Sequence, residues 1–250
     1  MKPRRLLSSL LKFLSKWAIS KHKLRIAVVV GTSGTKITAE LFGEMLAKDH
    51  VVRKQLEVPF WDFSIPLAIL GIDDKIYSFW GWFDVIIEAL KVLIFGRSNP
   101  GWVVLQMNSL KNEIVEYWLE IVVPDIAIIS NYNGEIFPIE EKVALVAKKI
   151  VCICSDKNNI SIDKKKVLSI GMDKNCDVIV EKFCQNQHGT KFIINYRRKK
   201  QRFIAAQTGI FMKEPILSSI AGLIVLGKDL EDISDRLLRA EISIERFIHE

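Results

Sequence analysis

Apolar positions along this chain form two kinds of run. Short, unbroken runs at 26–30, 102–107, 126–130 and 150–154 carry no polar alternation. They are rich in β-branched residues, and strands that are apolar on both faces belong to parallel sheets covered on both sides. Between them the apolar positions recur at helical spacing, predicting helices over 35–47, 77–95, 113–122 and 139–149. In the first of these, Ile37, Leu41, Met45 and Leu46 share one face. Strand–helix alternation of this kind predicts an α/β fold: a P-loop-type, mostly parallel sheet with helices on both faces. Beyond about residue 166 the texture changes. Segments 166–170, 177–181, 191–195 and 203–206 predict a smaller region of shorter, partly antiparallel strands, and helices at 215–226 and 229–240 close the domain.

Three stretches stand apart. Residues 4–20 predict an amphipathic helix, with Leu6, Leu7, Leu10, Leu11, Leu14, Trp17 and Ala18 on one face and Lys12 and Lys16 on the other. Such a helix packs on its own domain or a partner, or lies on an anionic membrane surface; packing is the commoner use. Segment 59–67 holds two prolines and three aromatics, which predicts a buried or partner-covered loop. The 77–95 helix is apolar nearly all round, with Asp84, Glu88 and Lys91 on one stripe. Those charges argue against a membrane span. Its aromatics Phe79, Trp80, Trp82 and Phe83, with Trp61, are a candidate protein-docking surface.

Charge sharpens this picture. The net charge of the 250-residue chain is +7. Residues 1–39 hold nine basic residues and no acid, so elsewhere 27 basic residues face 29 acids, a balance of −2. The body is thus a poor nucleic-acid binder, and the basic cluster Arg197-Arg198-Lys199-Lys200 reads as a solvated hairpin turn. Four cysteines without a signal peptide predict reduced thiols and a cytoplasmic setting, with peripheral contact at the inner membrane face as the variant the basic helix would add. A zinc site from Cys176, Cys184 and His188 has only its spacing in its favour.

The chemistry concentrates at one corner. The first apolar run gives way to Gly31-Thr32-Ser33-Gly34, and the helix over 35–47 follows. A strand, a glycine turn and a helix N-terminus together present unpaired N–H groups at the positive end of a helix dipole, which is how phosphate is cradled.

Several stretches carry a family resemblance. Besides the glycine loop these are Ser64-Ile65-Pro66-Leu67-Ala68-Ile69-Leu70-Gly71, the strand 102–107, Pro124-Asp125-Ile126-Ala127-Ile128-Ile129-Ser130-Asn131, and Gly227-Lys228-Asp229-Leu230. Over residues 24–240 the chain resembles the central ATP-binding domain of the Mur ligases, nearest the branch that adds D-alanyl-D-alanine to the muramoyl tripeptide. With the basic amphipathic helix taken as 1–23, the resemblance implies a Mur-ligase-like central domain (24–240) followed by a tail (241–250), with the family's N-terminal and C-terminal domains absent. It implies ATP and Mg²⁺ as cofactors. Gly31, Thr32, Ser33, Gly34, Thr35, Lys36 and Asn131 would hold the nucleotide, Thr38 and Gln106 the metal, and Lys142 falls near the lysine that the family carbamylates.

The departures from the family pattern are as informative. The family follows its last loop glycine with lysine and then a hydroxyl residue, whereas here the order is Gly34-Thr35-Lys36. One helical position is a rotation of about 100°, so the lysine is re-aimed. Gln106 replaces the metal-binding glutamate, Ile136 a histidine, Cys154 an asparagine, and Phe211-Met212 a His-Asn pair. Losing one preorganised charge-stabilising group costs about 10²–10³ in rate, so several losses together predict a catalytically impaired relative that acts by binding. The alternatives are an active ATP-dependent acid–amino acid ligase of cell-wall synthesis completed by other subunits, and a nucleotide-binding sensor without turnover.

Overall fold

The computed structural model describes residues 2–32, 34–55, 61–72, 79–95, 101–107, 112–131, 137–153 and 166–240. The elements are α1 (Lys2–His22), β1 (Arg25–Val30), α2 (Thr35–Ala47), β2 (Val52–Lys54), α3 (Ser64–Leu70), α4 (Phe79–Phe95), β3 (Trp102–Gln106), α5 (Asn112–Ile121), β4 (Ile126–Ile129), α6 (Pro138–Val146), β5 (Ile150–Ile153), β6 (Val167–Gly171), β7 (Val178–Asn186), β8 (Gly189–Tyr196), β9 (Lys199–Ala205), α7 (Lys213–Val225) and α8 (Leu230–Arg239).

One nine-stranded sheet runs β2-β3-β1-β4-β5-β6-β7-β8-β9. Neighbours from β2 to β7 are parallel, and β7-β8-β9 form an antiparallel meander. The uniform apolarity of β1 has a direct cause. Ile26, Val28 and Val30 enter the core beneath α1, α3, α4, α5 and α6, while Ala27 and Val29 enter the core beneath α2, α7 and α8. A central strand covered on both sides needs apolar side chains on both. Helix α7 is the most enclosed, with every residue from Pro215 to Ile224 buried.

Four expectations need correction. Segment 59–67 is not a loop where it is described. A single 3₁₀ turn at Trp61–Phe63 leads into helix α3, because Pro66 occupies the first turn, where a missing N–H costs no helical hydrogen bond. The strands of the antiparallel meander are longer than the parallel ones, not shorter: β7, β8 and β9 have 9, 8 and 7 residues against 6 in β1, while β6 is short as expected, with 5. Helix α6 ends at Val146 and Ala147 turns extended, so the predicted 139–149 helix stops short. Cys176 is disulfide-bonded, so the four thiols are not all reduced; Cys152 is a buried thiol and Cys184 an exposed one.

The basic cluster does form a hairpin turn. Arg197 and Arg198 both have positive φ, 51° and 66°, which is the backbone of a tight turn whose twist matches the flanking strands.

Candidate functional site

The glycine corner is built from the C-terminal end of β1, the N-terminus of α2 and the end of β4. Gly31 has φ 148°, and a Cβ there would lie 2.0 Å from the Ser130 carbonyl oxygen. Gly34 caps α2 with φ 64°, and a Cβ on it would lie 2.9 Å from Pro215 Cγ at the start of α7. Only glycine permits both the left-handed turn and the close approach. The first helical hydrogen bond runs from Thr38 N to Gly34 O at 2.8 Å, so the N–H groups of the first turn face out of the helix end. The shape of a phosphate cradle is present.

Its polar groups are largely occupied by one another. Asn131 Oδ1 accepts from Thr32 N at 2.9 Å and from Thr32 Oγ1 at 3.3 Å. On its other side Asn131 Nδ2 donates to Glu140 Oε2 at 3.0 Å. That carboxylate oxygen also accepts from Phe137 N at 2.6 Å, closing the first turn of α6 over Pro138. Because a carboxylate oxygen accepts, it fixes the amide with its oxygen toward the loop. Burial pushes the Glu140 carboxyl above its ordinary value, against the two donors that favour its charged form. Sequence reasoning missed Glu140. The available signal was a glutamate two residues after Pro138, the N3 half of a capping box.

The other half of the corner is equally closed. Gln106 Nε2 donates to Thr35 Oγ1 at 2.7 Å, while Gln106 N donates to Gln55 Oε1 at 2.8 Å. Thr38 is fully buried, its hydroxyl 3.5 Å from Ser130 Oγ. Lys36 lies half-buried on the first turn of α2. Lys142 is on α6, where its ammonium bonds Glu116 of α5 at 2.6 Å. Ser33, Ile136 and Cys154 lie outside the described residues. Phe211 is exposed and Met212 buried, just ahead of α7.

The donor set does not fit Mg²⁺. A hard cation takes several oxygens, carboxylates foremost. Here Thr38 offers a buried hydroxyl, and Gln106 is held as an amide donor to Thr35. Among the described residues no group of three or more His, Cys, Asp or Glu side chains could hold a metal, the Cys176, Cys184 and His188 set included.

Of the aromatic set proposed as a surface, Trp82 packs edge-on against Phe63 with ring centroids 5.1 Å apart, and Phe83 is exposed. The side chains of Trp61, Phe79 and Trp80 are outside the described set.

A mostly parallel sheet with helices on both faces and a glycine loop between β1 and the following helix places this domain in the class of doubly wound α/β folds. Within it, solved ligase structures share this arrangement. MurF from Acinetobacter baumannii superposes with a TM-score of 0.71 at 16% identity, over 97% of this chain and 51% of that one. MurF ligase from Thermotoga maritima in complex with ADP gives 0.66 at 17% identity, over 91% and 52%. Folylpolyglutamate synthase from Thermotoga maritima gives 0.58 at 16% identity, over 92% and 62%. The fold is therefore the one these ligases share, and the chain spans about half the length of the MurF structures. No protein-family model and no curated protein matches the sequence.

Proposed function

We propose that this chain is a Mur-ligase-like domain of the peptidoglycan-precursor ligase type whose catalytic site is impaired, and that it acts by binding rather than by turnover. The hydrogen bond from Gln106 Nε2 to Thr35 Oγ1 carries this reading. It puts an amide donor where the resembling ligases have a metal-binding carboxylate, and a short hydroxyl side chain where they have the phosphate lysine. Both groups are satisfied by each other, so neither is poised to hold a metal or a transferring phosphoryl group.

A second reading is favoured by the retained backbone of Gly31 and Gly34. A loop that keeps its left-handed turn at a helix N-terminus can take a phosphate through N–H groups alone. It would then sense nucleotide without hydrolysing it.

Thermal unfolding separates the two. The chain as it stands is expected to show no stabilisation by millimolar MgATP and no phosphate release. The triple variant Thr35→Lys/Lys36→Thr/Gln106→Glu, which restores the family order, should gain metal-dependent stabilisation of about 2.7 kcal/mol at a hundred times its dissociation constant. Stabilisation of the unaltered chain by ATP in EDTA would favour the sensor. Phosphate release by the unaltered chain would sink both readings in favour of an active ligase.

A further inference from the structure

Helix α1 carries two apolar stripes, and the domain uses only one. Leu11, Leu14 and Ala18 are buried in the core layer that α3 and α5 share. The second stripe, Leu6, Leu10, Phe13 and Trp17, repeats at i, i+4, i+7 and i+11 and faces outward, with Leu6 72% and Phe13 63% exposed. Helix α4 repeats the arrangement. Val85, Ala89 and Leu93 are buried in the same core layer, while Phe83, Ile87, Leu90 and Ile94 face outward at the same spacing, Phe83 64% and Ile94 56% exposed. The two helices touch, and the Lys21 ammonium donates to the Leu93 carbonyl. Scattered surface leucines are ordinary, but two adjoining helices with eight outward apolar side chains form a docking surface.

Charge selects the occupant. Around the α1 stripe stand exposed Arg5, Lys16, Lys21 and Lys23, with no acid anywhere before Glu40. The Lys21 ammonium lies 5.9 Å from the centre of the Trp17 ring, so a cation and an amphipathic ring sit together at the edge of the apolar stripe. Asp84 and Glu88 on α4 are exposed as well, so the attraction for anions comes from α1. No helix among the described residues is long and apolar enough to cross a membrane. An apolar face rimmed by cations and carrying tryptophan is matched by anionic headgroups above acyl chains. We propose that the outward stripes of α1 and α4 seat this protein on an anionic lipid surface, α1 lying in the interface.

The test is co-sedimentation of the full chain with vesicles of phosphatidylglycerol or of phosphatidylcholine, at low and high salt. Binding to the anionic vesicles is expected, with screening by salt. Neutralising Arg5 or Lys16 (Arg5→Gln, Lys16→Gln) should weaken it about five-fold each. Phe13→Glu should weaken it about ten-fold or more without altering the melting temperature, since that side chain makes little contact with the core. Equal binding to both vesicle types, or to neither, overturns the proposal. So does self-association in the absence of lipid that Phe13→Glu abolishes, which would make a second copy the occupant.

Discussion

At the scale of single residues, the corner is defined by side chains that satisfy each other across long stretches of sequence. Asn131 binds a loop amide 99 residues away, and Gln106 binds a hydroxyl 71 residues away. Replacing Asn131 by Leu removes an acceptor from Thr32 and a donor from Glu140. Leaving such groups without partners costs about 1–3 kcal/mol, to be read as a lower urea midpoint with an unchanged denaturant slope. These pairings explain what could and could not be read beforehand. The identities at 35, 36 and 106 marked the corner as altered, because residue type alone says which groups carry charge. That the altered groups face one another depends on which strand lies beside which, and no local pattern encodes it. Glu140 was hidden for the same reason, since on the sequence it belongs to a helix start and not to the loop.

At the scale of elements, periodicity placed most of the helices, though α6 ends three residues before its predicted limit. The limits of α2, α5, α7 and α8 fall within about two residues of their apolar repeats. It failed for α3, where two prolines masked a helix that begins just before the second of them. Packing, rather than propensity, decides one close contact between elements. A Cβ on Gly222 of α7 would lie 2.7 Å from Phe42 Cε2 and 3.2 Å from Ile128 Cδ1. Gly222→Ala therefore overpacks the seam of α2, α7 and β4. It should destabilise by about 1–3 kcal/mol in chemical denaturation despite the better helix propensity of alanine.

At the scale of the whole molecule, charges fasten the C-terminal helices to the first half of the chain. Asp49, just past α2, accepts from Lys228 and from the buried Arg236 of α8. The Lys228 contact and then that of Arg236 hold its carboxyl down to about 2, from an ordinary 3.8. A carboxyl lowered on folding contributes stability that is complete above 3.8 and is lost as pH falls from there through 2. Unfolding midpoints measured across that window should drop, and Asp49→Asn should flatten the drop. The fold as a whole was legible because unbroken apolar strands can be buried in few other ways. The wide outward apolar surface was legible only in part: the sequence pattern of α1 shows a single broad stripe, and only its packing on α3 divides that stripe into a buried half and an exposed one.

Helix α7 has a consequence for how the chain comes into being. It buttresses the glycine corner from the far end of the chain: Pro215 backs Gly34, and Ser219 Oγ reaches the carbonyl of Thr38, 181 positions earlier in the chain. A ribosome releases the N-terminal half first, so α2 leaves the exit tunnel long before its buttress has been made. Throughout that interval Leu41, Phe42 and Met45 wait without the cover that will bury them. A truncation ending before residue 213 should therefore be held by chaperones or aggregate, whereas one ending after 240 should be released folded.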